Sequence, residues 1–134
     1  MAPTNREGAS LRTAVAIAVA GAIGALARYG LAGLVSRRVP GAFPWGTFVV
    51  NVSGTFALGF VITLTTERLS IAPWIRGAIT VGFLGAYTTF STFSFETYRL
   101  LDDRAFGVAA ANMMGSLAAG LLAVYLGIVA GRAL

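Results

Sequence analysis

The sequence predicts an all-α membrane protein with four transmembrane helices per subunit, and three observations carry that reading. First, the chain of 134 residues is 57% hydrophobic and 11% charged, with a mean hydropathy of +0.79. In an ordinary soluble domain charged residues alone make up roughly a quarter. Second, four windows, roughly 12–35, 45–66, 73–101 and 105–131, each hold the ~20 mostly apolar residues that a bilayer-crossing helix needs. Third, short breaks divide them: SRRVPGAFP at 36–44, ERLSIAP at 67–73 and DDR, the tightest turn, at 102–104. The chain therefore reads as a single integral membrane domain over 1–134, with both termini on one side.

Composition removes several function classes. All ten positive charges are Arg, and the chain has no Lys, His or Cys. Disulfides, thiol chemistry and imidazole ligands or bases are thereby excluded. No loop is long enough to hold a catalytic apparatus, so an enzyme is not expected. The net charge of +5 is spread singly between apolar segments, which argues for membrane-end anchors and against nucleic acid. The first apolar segment follows a polar head, Met1 to Ser10, and is too long for the core of a cleavable signal peptide.

The first window carries Gly21 and Gly24, spaced for close helix contact, and then Arg28 in GAIGALARYG. Arg28 either snorkels to the headgroups or stands at the mouth of an aqueous vestibule, where its charge draws anions in. In the second window, Asn51 lies near the middle of WGTFVVNVSGTFALGF. Its amide must be hydrogen-bonded there, as glue between helices or as the lining of a path. Thr47 one turn before it and Ser53 and Thr55 after it favour a path, with Gly54 and Gly59 reading as packing.

The third window is the unusual one. As one straight helix at ~1.5 Å per residue it would be about 43 Å long, against a hydrocarbon core of ~30 Å. Its centre, GAYTTFSTFSF at 85–95, has strand-forming residues, but a lone strand cannot cross lipid. A break near 85–89 resolves both difficulties, and it exposes backbone carbonyls able to bind a cation. After the break, Phe90 and Phe93 share a face. They are either packing or aromatic edges turned toward a small anion. Glu96, one turn on, faces a vestibule, a partner or the pathway, because lipid would cost it too much. The fourth window stacks Asn112 and Ser116 on one face at i, i+4. Gly115, Ser116, Ala119 and Gly120 on the same helix read as packing.

Arg6, Arg12, Arg68, Arg76 and Arg132 fall on one side of the membrane and Arg37, Arg38, Arg99 and Arg104 on the other. So small an excess barely biases insertion. The chain is expected to insert both ways and to pair as an antiparallel, dual-topology homodimer; the same count is also compatible with one weakly held orientation.

The segments GAIGALARYG, WGTFVVNVSGTFALGF and GFLGAYTTFSTFSFET resemble, in order and spacing, the Fluc (CrcB) family of bacterial fluoride ion channels, and the resemblance runs through all four windows. It implies an antiparallel homodimer in the bacterial cytoplasmic (inner) membrane, with two fluoride pores, a structural sodium ion at the interface, and passive fluoride export that gives fluoride resistance. By position, Asn51 resembles the pore asparagine, and Phe90 and Phe93 resemble the pore phenylalanines, supplied by the opposite subunit. The backbone carbonyls of Gly85 and Thr88 resemble the sodium ligands, and Arg28 the vestibule arginine. Thr47 and Glu96 fall at polar positions of the family, Thr47 toward the pore and Glu96 toward the vestibule. Asn112 and Ser116 continue a polar track, but the next positions on that face, Gly120 and Val124, carry no side-chain donor and depart from some members.

The residues themselves lead to an ion pathway, and fluoride follows from the resemblance. The alternative is a small four-helix, dual-topology, proton-coupled exporter of organic cations. That chemistry needs a carboxylate deep in the membrane. The first helix has none, and Glu67, Glu96, Asp102 and Asp103 lie toward segment ends. A purely structural subunit would not require Asn51 or the Thr/Ser break.

Overall fold

A computed structural model describes residues 5–134. Met1–Thr4 of the polar head lie outside the described residues, as does the side chain of Arg6 counted above. Every described element is helical: α1 (Asn5–Arg38), α2 (Trp45–Thr63), α3 (Pro73–Gly77), α4 (Gly85–Tyr87), α5 (Phe90–Asp102) and α6 (Phe106–Ala133). A π-helical turn, Leu64–Arg68, prolongs α2, and a π-helical stretch, Ala78–Leu84, joins α3 to α4.

α1, α2 with its π-turn, and α6 are each long and apolar enough to cross a membrane. α1 starts earlier and ends later than its apolar window, because hydropathy marks only the stretch inside the hydrocarbon while a helix can run on into the polar layer. The third segment is not continuous. Thr88 (φ −80°, ψ 156°) and Thr89 (φ −150°, ψ 116°) are extended, so residues 73–87 and 90–102 form two stacked pieces. At ~1.5 Å per residue each is about 20 Å long, too short to span alone.

The ends of these elements have local causes. Pro44 precedes α2, and Phe43, Trp45 and Phe48 cluster there with ring centroids 4.6–5.7 Å apart. Trp45, with its polar indole N–H, is the member of this cluster that suits a membrane–water interface. Pro73 starts α3, where its missing N–H would have been unpaired anyway. At the turn after α5, Ala105 N–H donates to Leu100 O at 2.8 Å and Arg104 takes φ +57°.

Glycines set how closely the helices approach. A Cβ on Gly82 would stand 2.7 Å from Ile17 O, and one on Gly24 would meet the Phe83 backbone, so α1 and the π-helical stretch touch backbone to backbone. α2 and α6 meet the same way, at Gly59 against Val124 and at Gly127 against Phe56. Gly54 lies under the side chains of Tyr87 and Thr88, at the break itself. Gly115 and Gly120 have nothing within 4 Å, so the packing expected of them does not occur within one chain. The buried apolar core is small, with Val50, Leu84, Leu100, Ala109 and Ala123, while Leu26, Met114, Leu117 and Leu121 face outward.

Candidate functional site

The site is built around the two extended threonines. In an unbroken helix the Thr89 N–H would donate to Gly85 O. Here it donates to Asn51 Oδ1 at 2.8 Å, and Asn51 Nδ2 donates back to Thr89 O at 3.0 Å. A backbone N–H can only donate, which fixes the amide orientation: Oδ1 belongs to Thr89, and Nδ2 keeps a second hydrogen with no protein acceptor among the described residues. The Thr92 N–H, which would have served Thr88 O, donates to Thr89 Oγ1 at 3.2 Å in an N-cap of α5. Gly85 O and Thr88 O therefore both lose their helical partners. Just before the break, Ser53 Oγ and Tyr87 OH are 2.9 Å apart, and Tyr87 stacks on Phe83 at 5.8 Å.

Two grooves flank Thr89. One, of about 340 Å³, is lined by Asn51, Thr55, Phe90, Phe93 and Ser116 among largely apolar neighbours. The Phe90 and Phe93 ring centroids are 5.8 Å apart, and Phe90 is 79% exposed. Within a single chain these rings already line the groove of Asn51. The other groove, of about 370 Å³, brings Arg28, Thr47, Thr92 and Glu96 together. There Thr47 Oγ1 donates to Glu96 Oε1 at 2.9 Å, while Glu96 Oε2 is buried without a partner. Thr89 lines both grooves and forms the wall between them.

The expected pore and vestibule residues thus fall into three places, apart from Gly85 and Thr88 at the break. Asn51, Phe90, Phe93 and Ser116 share the first groove; Arg28, Thr47 and Glu96 share the second, so Thr47 stands apart from Asn51's groove. Asn112 lines neither of these grooves. It is 1% exposed, its Nδ2 donates to Thr97 Oγ1 at 2.8 Å, and its Oδ1 accepts from Ser116 Oγ at 3.3 Å. The stripe of hydroxyls on α2 is also narrower than its residue types suggest, since the Thr55 hydroxyl hydrogen is spent on Asn51 O. Sequence reasoning missed Thr97, Tyr87 and the dual role of Thr89. The TT pair at the centre of an overlong segment was the available signal for Thr89.

No group of three or more His, Cys, Asp or Glu side chains able to hold a metal occurs among the described residues. Among the described residues the carbonyls of Gly85 and Thr88 lack their helical partners, and unwound backbone of this kind offers oxygens suited to a hard monovalent cation.

Comparison with known proteins decides the family. The CrcB-like protein family (Camphor Resistance, CrcB) matches residues 15–128. The chain belongs to the CrcB (FluC) family. Among its relatives, the fluoride-specific ion channel FluC of Solibacter usitatus is 49% identical over 116 residues, 87% of this chain and 95% of the relative. FluC of Nitratidesulfovibrio vulgaris is 48% identical over 118 residues, 88% and 95% of the two chains. FluC of Geotalea uraniireducens is 44% identical over 124 residues and is covered completely. CrcB (FluC) is a family of ion channels and not of enzymes, which agrees with the expectation drawn above from the short loops and the lack of His and Cys.

Proposed function

We propose that the chain is a fluoride-selective channel of the bacterial inner membrane that lets cytoplasmic fluoride leave passively and thereby confers fluoride resistance. The observation that carries this is the Asn51 amide, whose oxygen is engaged by Thr89 N–H and whose NH₂ keeps one hydrogen unspent in the residue that lines the groove of Phe90 and Phe93. A small, strongly hydrated anion needs replacement donors, and positive ring edges beside a neutral N–H supply them without a charge that would hold the ion too long. Ser116 of α6, its hydrogen turned to Asn112, borders the same groove. Arg28 and Glu96 stand in a hydrated vestibule, where the Arg28 charge raises the local anion concentration.

The working unit is an antiparallel homodimer with two such pores. The nearly even Arg count supports it, as do the outward Phe90 ring and the uncovered small residues Gly115 and Gly120. A twofold axis at the break doubles the Gly85 and Thr88 carbonyls, giving a hard cation the several oxygens it requires. Sodium there is a structural ion: it offsets carbonyls that lipid would leave unpaired.

The exporter alternative lacks its deep carboxylate. Among the described residues, Glu67 pairs with Arg132 at 3.2 Å at the helix ends, Asp102 and Asp103 are exposed, and Glu96 is engaged by Thr47. Growth tests this function in cells. In a bacterium stripped of its own fluoride export, the chain should raise the fluoride concentration that permits growth, and Asn51→Ala should not. An unchanged tolerance with the protein present in the membrane would refute the proposal.

A further inference from the structure

Asn51 lines the anion groove, yet both heavy atoms of its amide are bonded to a single peptide neighbour, the N–H and C=O of Thr89. Such a paired contact is selective for one kind of side chain. A carboxylate could accept from the N–H but could not donate to the carbonyl, a hydroxyl could not span both atoms, and an alkyl group could do neither. In a low-dielectric interior the Thr89 N–H cannot go unpaired without a penalty. If Asn51 is removed, the nearest backbone acceptor in register is Gly85 O, the i−4 carbonyl of a closed helix.

We infer that Asn51 is a positioning residue that holds the helix break open, so that the Gly85 carbonyl stays available to a cation and the anion groove is linked to the cation position through the Thr89 peptide. This rests on the sodium site proposed above and adds what maintains it. The second carbonyl has a separate lock. Thr88 O is released because the Thr89 hydroxyl takes the Thr92 N–H, so the side chain of Thr89 does for Thr88 what Asn51 does for Gly85. Gly54, three residues along α2, leaves the room in which Tyr87 and Thr88 sit against the helix; a Cβ there would stand 2.9 Å from the Tyr87 ring. Ser53 ties the Tyr87 hydroxyl to the same turn of α2. The break is therefore referenced to one stretch of α2, residues 51–54, as well as to the local cap that Thr89 makes.

The test measures cation binding apart from flux. The purified full chain is unfolded thermally in detergent over a sodium series, with an organic cation keeping the ionic strength constant, and hydrogen exchange is followed at the peptide containing Thr89. The unaltered chain should be stabilised by sodium. In Asn51→Ala the sodium concentration for half the effect should rise about tenfold, the factor equivalent to ~1.4 kcal/mol, and exchange around Thr89 should change. Asn51→Ser, which keeps a polar group inside the membrane, should shift in the same direction and serves where the alanine variant folds poorly. Thr89→Val, which suits the extended backbone, should also raise the sodium requirement, by releasing the other lock. Ser116→Ala, which borders the groove but touches neither carbonyl, should titrate like the unaltered chain. A sodium effect that persists unchanged in the Asn51 variants would overturn the inference alone. No sodium effect in the unaltered chain would overturn it together with the sodium site.

Discussion

Threonine and serine hydroxyls in this chain divide by where their hydrogen goes. Thr55, Thr80, Thr88 and Thr97 each donate to the carbonyl four residues back, so within the membrane they are self-satisfied and offer an ion only lone pairs. Asn51, with one amide hydrogen left over, has a donor to give, while the Ser116 hydrogen goes to Asn112 Oδ1 at 3.3 Å. Two substitutions separate a pathway residue from a structural one. Asn51→Ala should reduce fluoride flux. Asn112→Ala should act first on stability: it removes the partner of the buried Thr97 hydroxyl and of the half-buried Ser116, at about 1–3 kcal/mol, read as a lower thermal midpoint. An Asn112 variant of normal stability and lost flux would instead place that residue on the ion's path. The residue types at 51, 90, 93 and 116 were readable because polar or aromatic groups inside an apolar window need a reason to be there. The inward turn of Asn112 was not, since an i, i+4 pair defines a face but not what the face meets; its partner, Thr97, is on another helix.

Among elements, the broken third segment was legible from length and composition together, as a window too long for the bilayer whose centre favoured extended backbone. Its position at Thr88 and Thr89 comes from side chains elsewhere in the sequence, namely the Asn51 amide, with the Thr89 hydroxyl as a local cap. The π-helical stretches left no mark in the residue pattern, because one extra residue in a turn changes neither hydropathy nor glycine spacing. Glycine spacing marked close contacts correctly at Gly24, Gly54 and Gly59 and did not distinguish them from Gly115 and Gly120, which have no neighbour in the chain. The distinction can be measured. Gly24→Val drives a side chain into the Phe83 backbone and should lower stability by about 1–3 kcal/mol. Gly120→Ala meets nothing and should leave the single chain unchanged or stabilise it by up to ~1 kcal/mol, as alanine does within a helix. Thermal unfolding at low protein concentration compares the two, and a clear loss with Gly120→Ala would place a neighbouring copy against that face of α6.

At the scale of the whole molecule, helix ends that pair in space also carry the Arg of one side: the Arg12 guanidinium lies 4.9 Å over the Trp74 ring, and Arg132 meets Glu67. With five Arg assigned to that side and four to the other, the proposed topology gives insertion little preference for either direction. Tags on the termini of the chain in intact cells should be labelled from both faces of the membrane; labelling from one face alone would argue against opposed subunits. Nothing in one chain encloses a complete pore. Among the described residues the Asn51 groove is open at its side and Phe90 is largely uncovered, which fits the proposed assembly with a second copy.

The most direct measurement of that path is anion efflux from liposomes containing the purified protein, with a potassium ionophore carrying the counter-charge. Fluoride should leave rapidly while chloride stays inside, and Asn51→Ala or Phe93→Ile should slow fluoride release without separating the dimer. Equal release of the two anions, or unimpaired fluoride release by both variants, would contradict the account.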